Sequence, residues 1–264
     1  MTELLLVGAS GLAREVLILL RNHPEYAPIG ILDDLPGQRG TTVGGVSVLG
    51  SLDEVTRHPA ARVLICVGRG EARARIADRL LALGVTEDRY VSLVHQSVEV
   101  PEGCRIGSGS IVLAGVVLTA DVILGRHTVV MPQVTLTHGD RVDDFVTLCA
   151  GVTLGGDVSI GSGAYLGMNA AVRERVRIGP GAVLGMGSAV LENVPDRETW
   201  VGVPARRLRA AAGDPLPPEA AAVPPTTVPP TTVPPTTVPP AARPTLPALV
   251  VPVLRAPWPT GGIE

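Results

Sequence analysis

The chain has 264 residues, a formal net charge of −3 and an isoelectric point of about 6.0. This balance excludes a general electrostatic attraction to nucleic acid, and no apolar run reaches the length that spans a membrane. The three cysteines are odd in number and lack metal-ligand spacing. We therefore expect a reduced, cytoplasmic protein without a bound metal, long enough for two domains.

Residues 1–90 alternate between short apolar runs and amphipathic stretches. Strands are predicted at 4–7, 29–32 and 63–67, and helices at 12–21 and 71–83. This alternation favours a small parallel α/β domain, in which ligands bind at the carboxyl ends of the strands. Three short segments lie at those ends: Gly8–Gly11, Asp33-Asp34 and Gly68-Arg69.

The turn after the first strand has two interpretations. It opens a helix whose first amides could hold a phosphate group, although it is not a complete dinucleotide-binding motif. A tight strand-to-helix turn also requires glycine whatever it binds. The Asp33-Asp34 pair is equally consistent with a solvated strand end, so the residues alone leave the ligand open.

Residues 91–209 follow a strict six-residue period. Ile, Leu or Val stands at all seventeen positions six apart from Val94 to Val190. A small or β-branched residue usually lies two positions earlier, and residues two apart on a strand share one face. The pattern predicts a hexapeptide solenoid with three faces of six residues in each coil of 18.

The composition changes sharply after Arg209. The sequence Val-Pro-Pro-Thr-Thr begins at Val223, Val228 and Val233. Such proline-rich tracts favour an extended, unpacked chain, so residues 210–264 are predicted to be a disordered Pro/Thr-rich tail. The apolar stretch 246–254 leaves room for a docking segment with an unknown partner, but a dispensable tail is the preferred interpretation.

One histidine interrupts the solenoid pattern. His138 follows the inward Leu136 by two residues and should face outward at a corner, where a neutral imidazole can act as a general base. His127 is predicted to be a surface residue without a role. Asp140 occupies an inward position, and a buried carboxylate must be hydrogen-bonded, either by backbone amides or by His138. In the second case it would orient the imidazole.

The chain resembles the hexapeptide-repeat sugar acetyltransferases of the sialic acid O-acetyltransferase and UDP-4-amino-sugar N-acetyltransferase type. The landmarks are LLLVGASGLAREVL from Leu4, GILDD from Gly30, CVGRGEARARI from Cys66, the hexapeptide block and the closing VGVPAR from Val201. The resemblance implies a Rossmann-like domain followed by a left-handed parallel β-helix, assembled as a homotrimer. It implies acetyl transfer from acetyl-CoA to an amine or hydroxyl of a bacterial sugar or nucleotide sugar used for cell-surface polysaccharide.

The resemblance also implies roles for individual residues. His138 would be the base. Acetyl-CoA would lie between neighbouring prisms and touch four residues: Thr147, Gly156, Met168 and Met186. The nucleotide sugar would contact the first domain at Ser10, Gly11, Leu12, Asp33, Asp34, Gly68 and Arg69.

One position departs from the family pattern. The residue after the histidine is usually acidic or polar, and here it is Gly139, followed by Asp140. Two alternatives therefore stay open beside the nucleotide-sugar acetyltransferase. The first is acetyl transfer to a free sugar or amino acid, and the second is an inactive trimeric scaffold.

Overall fold

A computed structural model describes residues 1–208 of the protein. The predicted tail, 210–264, lies outside the described residues. The first ninety residues contain, in chain order, β1 (Thr2–Val7), α1 (Gly11–Leu19), β2 (Tyr26–Leu32), β3 (Thr42–Val43), β4 (Val46–Gly50), β5 (Arg62–Ile65) and α2 (Gly70–Ala82). Short 3-10 helices lie at Leu20–Asn22, Leu52–Arg57 and Glu87–Arg89.

These strands form one Rossmann-like sheet in the order β3-β4-β2-β1-β5. Strands β4, β2, β1 and β5 are parallel, so the carboxyl ends of β2, β1 and β5 share one edge. The β3–β4 hairpin was not predicted. Its two-residue turn, Gly44-Gly45, has positive φ at both positions, and a Gly-Gly pair between two valines is a sequence signal for such a hairpin.

The remaining strands form a left-handed parallel β-helix with three faces, and only the last strand, Arg206–Arg207, pairs antiparallel with its neighbour within the described residues. Face 1 contains β7 (Arg105–Ile106), β10 (Ile123–Leu124), β13 (Arg141–Val142), β16 (Ser159–Ile160) and β19 (Arg177–Ile178). Face 2 contains β6 (Leu93–Val94), β8 (Ile111–Val112), β11 (Val129–Val130), β14 (Thr147–Leu148), β17 (Tyr165–Leu166), β20 (Val183–Leu184), β22 (Thr199–Val201) and β23 (Arg206–Arg207). Face 3 contains β9 (Val117–Leu118), β12 (Thr135–Leu136), β15 (Thr153–Leu154), β18 (Ala171–Val172) and β21 (Ala189–Val190).

The predicted aliphatic ladder fills the interior of the prism. Every sixth residue from Val112 to Val190 is buried, as is the residue two positions before each. Neighbouring coils pair in register at a spacing of 18 residues, for example Val130 with Leu148. Because each coil covers the next, the interior side chains are removed from water along the whole stack.

The first coil departs from the prediction. No strand forms at residues 99–100, and 44% of Val100 is exposed. Inward side chains of this coil, such as Val98 and Ile106, are only partly buried because no coil precedes them. At the other end, Trp200 and Ala205 are buried against the last coils and close the prism.

The corners explain the glycine at position 139. Fifteen corner residues, spaced six apart from Gly103 to Gly187, have φ between 53° and 90°. Gly139 is one of them, with φ of 75°. Glycine adopts this left-handed conformation at little cost, and a Cβ at position 139 would also overlap Oδ1 of Asp157.

The first domain packs on face 2 of the prism. Ile111 and Val129 point out of the prism, yet both are buried in one cluster with Leu12 and Val16 of α1. None of the helices within residues 1–208 is long and apolar enough to cross a membrane.

Candidate functional site

His138 lies in an exposed corner turn between faces 3 and 1, as predicted. Its ring lies directly over Gly156 of the next coil, and a Cβ on Gly156 would overlap Nε2 and Cε1 of the ring. The absence of a side chain at Gly156 therefore makes the space in which the imidazole lies. The corner backbone is held by the N–H of Asp157, which donates to the carbonyl of His138 over 2.9 Å.

Asp140 is completely buried and is held by backbone amides. Its Oδ2 accepts from the N–H of Thr137 over 2.7 Å, and its Oδ1 accepts from the N–H of Val158 over 2.9 Å. No hydrogen bond joins it to His138 in the described part of the chain. Burial raises the pKa of this carboxyl from 3.8 to about 6, against the opposing effect of the two amides. Of the two predicted arrangements, the structure shows the one in which backbone amides satisfy Asp140.

The turn after β1 is fixed from two sides. Ser10 caps α1, because its Oγ accepts from the N–H groups of Leu12 and Ala13, and its hydroxyl donates to the carbonyl of Cys66 over 2.6 Å. Gly11 is exposed, with open space where a side chain would be. The side chain of Leu12 is buried in the core, so only its backbone can take the substrate-binding role expected of it.

The two aspartates after β2 are already hydrogen-bonded. Asp33 accepts from the N–H of Ala9 over 2.7 Å and from the N–H of Leu35 over 2.8 Å. Asp34 accepts from the N–H of Leu52 and forms an ion pair with Arg79. These contacts join the ends of β1 and β2, so the predicted residues of the first domain do come together at one edge.

The loop after β5 completes this edge and depends on a residue that the sequence did not reveal. Arg73 of α2 is fully buried, and its guanidinium donates to six acceptors within 3.0 Å. The acceptors are the carbonyls of Val67, Gly68, His127, Phe145 and Val146, and Oγ1 of Thr147. No carboxylate among residues 1–208 forms an ion pair with it, and burial lowers its pKa to about 10.

Thr147 belongs to this same junction. Only 3% of the residue is exposed, and its hydroxyl donates to the carbonyl of Gly68 over 2.7 Å while accepting from Arg73. Within the chain, its side chain therefore has almost no surface to offer acetyl-CoA.

Met168 and Met186 present apolar surface at another corner, between faces 2 and 3. They lie one coil apart, and 47% and 71% of them, respectively, are exposed. Face 3 separates this corner from His138, and its outward residues carry no charge: Val117, Thr135, Thr153, Ala171 and Ala189.

His138 and the loop at Gly68-Arg69 lie at different corners of the prism. Gly70, which follows this loop, packs on the corner at Phe145 between faces 1 and 2, whereas His138 lies at the corner between faces 3 and 1. Face 1 therefore separates the candidate base from the loop at Gly68-Arg69 within one chain.

His127 corrects the prediction of a surface residue. Only 2% of it is exposed. Its ring is stacked on that of Phe145, with 5.0 Å between the ring centroids, and meets the ring of Tyr90 edge-on, with 4.5 Å between the centroids. Burial lowers its pKa from 6.5 to about 4, so it is neutral at physiological pH. The six-residue period could not reveal this, because the cover is supplied by the first domain.

Comparison with known proteins gives a family match and a curated relative. The PglD N-terminal domain family matches residues 3–80. A GDP-perosamine N-acetyltransferase of Escherichia coli O157:H7 is 27% identical over 177 residues, which are 64% of this chain and 77% of that protein.

Among the solved structures, two examples resemble this chain over most of its length. One is a histidine-to-alanine mutant of the GDP-perosamine N-acetyltransferase of Caulobacter crescentus, in complex with CoA and GDP-perosamine. It is 27% identical in sequence with a TM-score of 0.72, and the match covers 80% of this chain and 98% of that one. The other is the acetyltransferase domain of PglB from Neisseria gonorrhoeae FA1090 with acetyl coenzyme A, with a TM-score of 0.70, 27% identity, and coverage of 78% and 98%.

Proposed function

Because the chain belongs to the hexapeptide-repeat sugar acetyltransferases, we propose that it transfers the acetyl group of acetyl-CoA to the amino group of a nucleotide-linked sugar. The observation that carries the proposal is His138, exposed at a mid-prism corner and seated over Gly156. The relatives named as N-acetyltransferases favour an amine over a hydroxyl acceptor, and their GDP-perosamine is the first substrate to test.

The reaction needs one base and one anion-stabilising site. The acceptor amine attacks the thioester carbon, and the imidazole of His138 takes a proton from the attacking nitrogen. The tetrahedral oxyanion is held by N–H donors, and its collapse breaks the C–S bond and releases CoA as the thiolate, which is then protonated. No acid beside His138 is required for this sequence, so the hydrogen-bonded state of Asp140 does not argue against it.

The nucleotide belongs at the edge formed by β2, β1 and β5. The exposed backbone at Gly11 and at Gly68-Arg69 lies at the carboxyl ends of parallel strands, where ligands of such sheets bind. This domain favours a nucleotide-linked acceptor over a free sugar or amino acid, which would not need it.

We infer that the active site forms between copies of the chain, in a homotrimer. Because face 1 separates His138 from the Gly68-Arg69 loop within one chain, the base of one copy would serve the nucleotide edge of another. The uncharged face 3, between His138 and the Met168–Met186 corner, can face a neighbouring prism and line the acetyl-CoA groove. The three free thiols fit a reducing cytoplasm.

Mass spectrometry tests the proposal directly. The full chain is incubated with acetyl-CoA and a panel of nucleotide amino sugars that includes GDP-perosamine, with the corresponding free sugars as controls. The expected product is 42 Da heavier than one nucleotide sugar, the mass of an acetyl group replacing a hydrogen. Acetylation of free sugars alone would support the second acceptor class, and no product with any acceptor would support the scaffold.

Sedimentation equilibrium of the same sample tests the assembly. A trimer is expected at micromolar concentration. A fully active monomer would contradict a site shared between copies.

A further inference from the structure

The buried contact between α2 and the β-helix has a feature that packing alone does not require. Arg73 and Thr147 both donate hydrogen bonds to the β5–α2 loop. All of these hydrogen bonds go to two backbone carbonyls, those of Val67 and Gly68. The Nη1 of Arg73 donates to both over 2.9 and 2.8 Å, and the hydroxyl of Thr147 donates to Gly68 over 2.7 Å. The Gly68 carbonyl thus receives two hydrogen bonds, one from each domain.

The loop is also held close to the prism at its other end. Gly70, the first residue of α2, is buried against the corner at Phe145, where a Cβ would overlap the carbonyl oxygen of Phe145. The loop is therefore fixed on the β-helix at Gly68, through the hydroxyl of Thr147, and at Gly70, through the corner at Phe145.

Because the peptide group is planar, hydrogen bonds to the two carbonyls also fix the direction of the N–H groups that follow them. In a trans peptide the carbonyl oxygen and the N–H point in opposite directions. The carbonyls of Val67 and Gly68 point into the buried junction, and both peptides are trans. The N–H groups of Gly68 and Arg69 therefore point outward to the exposed edge.

These two N–H groups have no acceptor within residues 1–208. They adjoin the first turn of the 13-residue helix α2, whose N-cap residue, Arg69, makes no side-chain capping bond. Adjacent free amides at a helix N-terminus suit the oxygens of a phosphate group.

We propose that Arg73 and Thr147 are positioning residues for the nucleotide sugar: they hold the Val67 and Gly68 carbonyls on the β-helix so that the amides of Gly68 and Arg69 face the diphosphate. This role rests on the proposed function. It differs from the acetyl-CoA contact that the resemblance implies for Thr147, because the hydroxyl acts through the loop and touches no ligand.

Two substitutions of Thr147 separate the hydroxyl from the shape of the side chain. Thr147→Val keeps the shape and removes the hydroxyl, and Thr147→Ser keeps the hydroxyl. Thr2→Val is the matched control, since Thr2 is exposed at the opposite end of β1. Arg73→Lys offers three donors to six acceptors and should have the larger effect, and if it fails to fold, the Thr147 pair decides.

Calorimetric titrations of the full-length protein with GDP, with UDP and with acetyl-CoA give the readout. We expect Thr147→Val to raise the Kd of the nucleoside diphosphate about tenfold, the effect of losing one such hydrogen bond, and to change the Kd of acetyl-CoA less than twofold. Thr147→Ser should restore the diphosphate Kd to within twofold of wild type.

Three outcomes would overturn the inference. A raised Kd for acetyl-CoA with an unchanged diphosphate Kd would return Thr147 to the acetyl-CoA site. Equal weakening by the Ser and Val variants would make the residue merely structural. If the wild type binds a diphosphate and Thr147→Val binds it equally well, only the positioning role fails, whereas a wild type that binds neither diphosphate removes the proposed nucleotide site itself.

Discussion

Replacing Asp140 by Asn tests whether this carboxylate supports the fold or the chemistry. The carboxylate accepts two backbone hydrogen bonds, one on each oxygen, in a position with no exposure to water. An asparagine side chain has one acceptor oxygen and one NH₂ group. One of the two N–H groups, that of Thr137 or that of Val158, would then face another donor.

The expected cost follows from that mismatch. A buried donor left without a partner costs about 1–3 kcal/mol. For a folded part of this size, each kcal/mol lowers Tm by about 2–4 °C, so Asp140→Asn should lower Tm by about 2–12 °C. Because no hydrogen bond joins Asp140 to His138 in the described structure, kcat should stay within about threefold of wild type.

Differential scanning calorimetry at pH 7.5 and a steady-state assay give the two readouts. Asp157→Asn is the matched control: the same substitution, one coil further along, at an exposed corner residue. Asp157→Asn should change Tm by less than about 2 °C, because an exposed residue leaves no buried donor without a partner. A variant Asp140→Asn with wild-type Tm and a kcat reduced a hundredfold would show that the carboxylate acts on the imidazole after all.

Three further predictions concern the base, the prism and the domain junction. His138→Ala should lower kcat by roughly 10²- to 10⁴-fold with little change in Tm, the range of a general base at an exposed corner; wild-type turnover would reject the mechanism. Leu154→Asp should prevent folding, because it places an unpaired charge in the interior; a soluble variant with native circular dichroism would contradict the architecture. His127→Phe should reduce the loss of stability between pH 7 and 5 in urea unfolding; an unchanged pH dependence would exclude His127 as its source.

The sign of the His127 effect follows from its depressed pKa. The folded protein binds a proton there only near pH 4, whereas the unfolded chain binds one near 6.5. Stability contributed by neutral His127 is therefore lost as the pH falls from about 6.5 towards 4, by up to about 3 kcal/mol. Phe145 has the same left-handed corner conformation, with φ of 62°, so a phenylalanine ring is compatible with the backbone at position 127.

The sequence predicted the prism because its interior repeats. An inward residue such as Leu154 meets the same surroundings as Leu136 and Val172 one coil away, so a fixed period of six carries the information. The end coil breaks this equivalence, and Val100 is exposed although it satisfies the pattern. Periodicity describes neighbours within the stack and says nothing of where the stack ends.

The contact between the domains left a signal at a longer period. Outward residues of face 2 recur every 18 positions and include Ile111 and Val129, whereas face 1 has Arg105 and Arg141 at the corresponding positions. An apolar outward column predicts a covered face. Arg73 left no such signal, because one arginine in a charged helix gives no sign that it is buried until the prism beside it is known.

The same junction connects the fold to the proposed chemistry. Burying a guanidinium whose partners are five carbonyls and one hydroxyl has a high desolvation cost, and apolar residues could stabilise a contact between two domains as well. The five carbonyl acceptors fix the orientation of the peptides they belong to, which apolar packing does not. If orientation of the loop at Gly68-Arg69 is what this arrangement provides, the prism contributes to nucleotide-sugar binding without touching the substrate. The β-helix would then have two tasks in one assembly: to carry the base at one corner, and to hold the nucleotide loop at another.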